Sequence, residues 1–176
     1  PMSAEVYSAE ERALLLRLAR EAIATGLAGK AMGLPENLPV ALREERACFV
    51  SLHVRRDGAL RGCIGSLMAH EPLARNVVGN ARNAAFEDPR FPPVASLAEL
   101  EGLAIEISVL TPPRPIASPA EFEVGQHGII LRAGGCSAVF LPQVAPEQGW
   151  DRETTLAHLG LKAGLGANAW RRPDAR

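Results

Sequence analysis

Two dipeptides, Asp57-Gly58 and Gly134-Gly135, each stand between two runs of β-forming residues. A two-residue hairpin turn needs positive φ at both central positions, and these residue types accept it, so each dipeptide predicts an antiparallel hairpin. Residues 47–54 and 60–67 form the first, 128–133 and 136–141 the second. Residues 103–110 add a strand, with Leu103, Ile105, Ile107 and Val109 on one face and Ala104, Glu106 and Ser108 on the other; a period of two marks a strand with one buried face. Helices are written between these strands. Ser8 and Glu11 make a capping box, and the stripe Leu14, Leu15, Leu18, Ala22 and Ile23 carries a helix to about Ala28. Residues 72–85 are a second helix, opened by a proline that needs no N–H partner and closed before Asp88-Pro89. Asp151 caps a third, which runs to about Ala163 and is ended by Gly164. Residues 32–39, and 111–119 with their four prolines, are connections. Helices mixed with antiparallel hairpins define the α+β class.

The hairpin also makes a statement about cysteines. With Asp57 and Gly58 as the turn residues, Arg56 pairs with Ala59, Cys63 faces Leu52, and Cys48 faces Leu67. Cys48 and Cys63 then share a face about 13 Å apart at the usual strand rise, too far for a disulfide. All three cysteines, Cys48, Cys63 and Cys136, are expected to be free thiols. An odd count without a CxxC pair, and without a basic and apolar leader, points to a reducing, cytoplasmic compartment. Pro1 ahead of Met2 reads as a cloning remnant.

Composition excludes further classes. A hydrophobic content of 47% is too high for a disordered chain. No run of about 18 apolar residues is present to span a membrane. Nineteen Lys and Arg against twenty Asp and Glu leave a net charge of -1, and aromatics are only 5%. Neither the basic surplus nor the stacking platforms that nucleic-acid binding uses are there. At 176 residues the chain suits one domain, or two small lobes sharing one core.

Four segments could carry chemistry. In Leu60-Arg61-Gly62-Cys63-Ile64-Gly65 two glycines flank a cysteine inside a strand. Glycine weakens a strand interior, so it marks a bulge or a close approach by backbone or ligand. It would also open space around the sulfur, and Arg61, two residues away on the same face, would favour the thiolate. The plain alternative is a small buried hydrophobe, which strand cysteines usually are. His127, between glycines on a loop, is a general base or a turn histidine bonded to backbone. Glu106 faces solvent or a cleft. Asn83 near a helix end, followed by Asp88-Pro89-Arg90-Phe91-Pro92-Pro93, makes a stiff charged loop that preorganises a binding edge or simply ends the helix. The scattered His and Cys show no metal-ligand spacing, so no metal site is expected. No phosphate loop, dinucleotide fingerprint or nucleophile elbow names a cofactor.

Together these segments resemble the AMMECR1 domain family. Residues 60–65, LRGCIG, match its signature hexapeptide; 80–93, NARNAAFEDPRFPP, resemble its next block; EISVL at 106–110 resembles its following strand; and VGQHGIILRAGG, FLPQVAPEQGWD and KAGLGANAW follow in family order. Cys136, Ala138, Gly160 and Gly166 depart from the family pattern. The resemblance implies a single domain over residues 1–176, of mixed and antiparallel sheets with flanking helices in two closely associated lobes, and a groove around the hexapeptide. It implies Cys63, His127 and Glu106 as catalytic candidates, and Arg61, Gly62, Gly65, Asn83, Asp88 and Arg90 as candidates for holding a ligand. It also implies Memo-type and radical-SAM proteins as companions. Two functions remain open: an enzyme or ligand-processing protein using Cys63 with His127, and a non-catalytic accessory module for those companions.

Overall fold

The computed structural model describes residues 6–176, so Pro1 and Met2 lie outside the described residues. The chain divides into two compact units, with the boundary between Pro113 and Arg114, inside the proline-rich connection.

The first unit contains helix α1 (Ala9–Leu27), the single turn α2 (Val40–Arg43), strands β1 (Cys48–Val54) and β2 (Leu60–Gly65), helix α3 (Leu73–Phe86), the short helix α4 (Leu97–Glu101) and strand β3 (Leu103–Val109). Ser8 caps α1 through the expected box, with the Glu11 N–H on the Ser8 hydroxyl and the Ser8 N–H on the Glu11 carboxylate. The strands form one antiparallel sheet in the order β2-β1-β3. Leu15, Leu18, Ala22 and Ile23 of α1, Leu73, Val77, Ala81 and Ala84 of α3, and Cys48, Val50 and Leu52 of β1 share one core. Ile105, Ile107 and Val109 pack against it, as the alternation in β3 requires. Each fully buried leucine here, such as Leu18 or Leu73, contributes roughly 1.5–3 kcal/mol.

The first hairpin differs from its expected form. Among the described residues no non-glycine has positive φ, so Asp57 cannot serve in a type I′ turn. Its carboxylate instead accepts the Ala59 N–H at 3.0 Å, and the loop closes two residues earlier on β1, with the Val54 N–H on the Ala59 carbonyl. Arg55–Gly58 is therefore a four-residue loop with only Gly58, at φ 74°, left-handed. A β-bulge follows between Leu52 and His53, after which Cys63 pairs with Ser51, not Leu52. That one-residue slip puts Cys48 and Cys63 on opposite faces of the sheet. All three cysteines are free thiols, with Cys48 buried, Cys63 half-buried and Cys136 exposed.

The second unit contains the hairpin β4 (Ile129–Ala133) and β5 (Cys136–Phe140), the short helix α5 (Val144–Gln148) and helix α6 (Arg152–Lys162). Gly134 at φ 54° and Gly135 at φ 79° make the expected two-residue turn, with Ala133 opposite Cys136. Asp151 caps α6 by accepting the Thr154 N–H at 2.7 Å. Leu131, Ala138, Leu159 and Ala169 form its buried cluster.

Candidate functional site

β2 lies at the edge of the first unit's sheet, and α3 fixes its position. A Cβ on Gly62 would stand 2.1 Å from the Ala84 carbonyl oxygen, so strand and helix backbones meet where only glycine fits. A Cβ on Gly65 would stand 2.2 Å from the Phe49 ring. Both glycines of the hexapeptide thus answer to packing. The gaps expected beside the thiol are filled by a helix carbonyl and an aromatic ring.

Cys63 itself is held on three sides. Its N–H donates to Asp88 Oδ2 at 2.9 Å, and its carbonyl accepts Arg90 Nη2 at 3.3 Å. On an edge strand these outward groups have no neighbouring strand, and the charged pair takes its place. Asp88 is buried, with its side chain 2% exposed, and receives Arg90 Nε at 3.0 Å and Nη2 at 2.8 Å. Arg90's hydrogen bonds hold the Asp88 carboxyl well below the usual carboxylate range against the opposing effect of burial, and the Cys63 and Arg90 amides add to the lowering. The Cys63 Sγ accepts the Ser51 hydroxyl at 3.2 Å.

The first unit's other candidates, Arg61, Glu106 and Asn83, make none of these contacts. The bulge breaks the alternation between Arg61 and Cys63, and bulges re-aim side chains. Arg61 does not support the thiol as expected; its Nε and Nη2 reach Glu99 of α4 at 2.9 and 2.8 Å. Glu106 is exposed and pairs with Ser51, placing it in one row with Cys63 but two strands away, about 10 Å at the usual strand spacing. Asn83 is exposed on α3. His127 lies in the second unit, exposed, with its Nδ1 accepting the Glu123 N–H at 3.1 Å. That bond engages the Nδ1 lone pair with backbone, as the turn-histidine alternative has it. His70 Nδ1 stands 3.0 Å from the Met68 carbonyl oxygen in the loop before α3.

Sequence reasoning missed four residues. Ser51 was displaced by the register. Glu99 carried a signal, since Ser96 and Glu99 have capping-box spacing, and the Glu99 N–H does donate to the Ser96 hydroxyl. Asn76 and Asn80 are buried on α3; Asn76 Oδ1 accepts the Cys48 N–H at 3.0 Å, and Asn80 Nδ2 donates to the Cys48 carbonyl at 3.1 Å. Spaced at i and i+4, they read as a polar stripe. Among the described residues no group of three or more His, Cys, Asp or Glu side chains is placed to hold a metal, and no helix is long and apolar enough to cross a membrane.

An α+β chain with an LRGCIG edge strand pinned by an Asp-Pro-Arg loop is the class of protein these features define. The chain belongs to the AMMECR1 family, whose model matches residues 16–176. It is 44% identical to Protein MK0488 of Methanopyrus kandleri, over 97% of this chain and 85% of that one. It is 42% identical to Protein MJ0810 of Methanocaldococcus jannaschii, over 92% and 82%. The crystal structure of the uncharacterized protein PH0010 from Pyrococcus horikoshii matches with a TM-score of 0.89 at 40% identity, covering 97% of this chain and 88% of that one.

Proposed function

We propose that the Cys63 face of the first unit is a ligand-processing surface, and that the Cys63 thiol is the group that meets the ligand. One observation carries this reading. Both outward backbone groups of Cys63 are locked by Asp88 and Arg90, while its half-buried sulfur contacts only a hydroxyl, that of Ser51, among the hydrogen bonds of the described residues. A fixed backbone beneath a reachable thiol is the preorganisation that reacting groups need. The chain supplies its own controls in Cys48 and Cys136. Iodoacetamide labelling near pH 7, read by mass spectrometry at each cysteine, should modify Cys63 faster than the more exposed Cys136 and leave Cys48 untouched. Slower labelling at Cys63 than at Cys136 removes the thiol role.

A second reading rests on a different observation. The charged neighbours are already paired inside the unit, Asp88 with Arg90 and Arg61 with Glu99, which suits recognition better than proton transfer. The surface would then dock a Memo-type or radical-SAM companion that performs the chemistry. Native mass spectrometry of the chain with each companion tests it, and no association with either counts against it.

A further inference from the structure

The two edges of the first unit's sheet are finished differently. At β2 the charged pair occupies the Cys63 groups; at β3, among the described residues, no strand lies alongside. The ladder to β1 decides which β3 groups point outward. The Leu110 N–H donates to the Ala47 carbonyl, and the Arg55 N–H to the Gly102 carbonyl. In the antiparallel alternation between them, Ala104, Glu106 and Ser108 bond to β1, while Leu103, Ile105, Ile107 and Val109 face away. Arg20 Nη2 takes the Leu103 carbonyl at 2.8 Å. Among the described residues, Ile105, Ile107 and Val109 thus offer three N–H and three C=O groups along an edge that no other strand pairs with.

Two adjoining hollows follow this edge and share Leu16 and Ile105. The larger, about 650 Å³, has Leu15, Leu16, Ile107 and Val109 as its apolar wall. The smaller, about 290 Å³, is bounded by Arg17, Arg20 and Arg55. Arg12 and Arg46 line the larger one, where Glu106 is the acidic member among the described lining residues. Arg46 is paired with Glu44 at 3.4 Å, so the excess of positive charge is that of Arg17, Arg20 and Arg55 around the smaller hollow, with the Glu101 carboxylate acting on Arg20. Arg20 shows the strain: burial, and then the facing charge of Arg55, hold its guanidinium below its ordinary value.

We propose that the β3 edge is a strand-addition site for an extended acidic peptide. The peptide backbone pairs with Ile105, Ile107 and Val109, alternate apolar side chains lie against Leu15 and Leu16 of α1, and carboxylates meet Arg17, Arg20 and Arg55. Main-chain bonds supply affinity in this mode, and the flanking side chains supply selectivity. The site is independent of the thiol reading.

The test uses the full chain, ¹⁵N-labelled, with a synthetic eight-residue peptide of alternating valine and glutamate. At saturating peptide, amide exchange at Ile105, Ile107 and Val109 should slow at least tenfold, while Glu106 and Ser108, already bonded to β1, change less than twofold. By fluorescence anisotropy, the glutamine counterpart of the peptide should bind at least tenfold more weakly. The Arg17→Glu/Arg55→Glu variant should lose the same factor, and Arg17→Lys/Arg55→Lys should stay within threefold of the parent. Absent or uniform protection, or equal binding of the glutamine peptide, overturns the proposal. So does alternate protection that arises without peptide in a dimer, because a second copy would then be the occupant.

Discussion

Gly62→Ala is the sharpest test of how β2 is positioned. The new Cβ would lie 2.1 Å from the Ala84 carbonyl oxygen and 3.1 Å from its carbon. Carbon and oxygen approach no closer than about 3.3 Å even in favourable contacts, so strand or helix must retreat by roughly 1 Å. The obstacle is helix backbone, bound into α3's own ladder, and it has no rotamer to escape to. Overpacking costs about 1–3 kcal/mol, and a backbone obstacle puts this variant at about 3 kcal/mol. Gly65→Ala is the internal comparison. Its Cβ meets the root of the Phe49 ring, 2.2 Å from Cγ, which must change rotamer to clear it; a half-buried side chain can do so where backbone cannot, so about 1–2 kcal/mol is expected. Equilibrium urea denaturation of the full chain, followed by far-UV circular dichroism with matched m-values, measures both. A Gly62→Ala cost below that of Gly65→Ala, or under about 0.5 kcal/mol, would refute the close-approach reasoning.

Asp88→Asn removes a buried carboxylate that receives Cys63 and Arg90, and should cost about 2–3 kcal/mol at pH 7. The folded carboxyl titrates below its unfolded value of about 3.9, so its stabilisation is complete above that pH and fades as pH falls toward the folded value. The gap to the parent should therefore narrow by about 1 kcal/mol at pH 3, and an unchanged gap contradicts the assignment. Asn76→Ala leaves the buried Cys48 N–H without its acceptor, a loss of about 1–3 kcal/mol. Burial pushes the Cys48 thiol up to about 11, so its alkylation reports opening of the unit; that alkylation should accelerate in the variant at mild urea. Gly160→Ala places a Cβ 2.3 Å from the Gly166 carbonyl oxygen and should destabilise the second unit by about 2 kcal/mol, read as earlier loss of protection in α6 by hydrogen exchange.

The elements legible in the sequence were those with local causes. The Ser8–Glu11 box, the Asp151 cap, the Gly134-Gly135 turn and the alternation of β3 all came through, because each depends on residues within a turn or a strand of one another. Asp57-Gly58 failed for a local reason of its own: aspartate satisfied its neighbour's N–H with a side chain and kept negative φ, and that choice moved Cys63 from Leu52 to Ser51. The short helices α2, α4 and α5 were missed because four or five residues carry too little periodicity. The site was half legible. Glycine in a strand did signal close approach, but only packing shows that the approaching groups are Ala84 and Phe49. The diversion of Arg61 to Glu99 follows from a bulge beside Gly62; the glycine signalled a bulge as one of two alternatives, but not that Arg61 would be the residue left unpaired.

The charged pair at β2 also has a consequence for assembly. A sheet with one sealed edge can join another sheet only once, and association then ends at a closed pair. A sheet with two open edges can add copies at both, and growth need not terminate. Asp88 and Arg90 occupy β2 at Cys63, while no strand of the described residues pairs with the outer edge of β3. A few atoms of carboxylate and guanidinium therefore remove from β2, at Cys63, the donor and acceptor that an added strand would use.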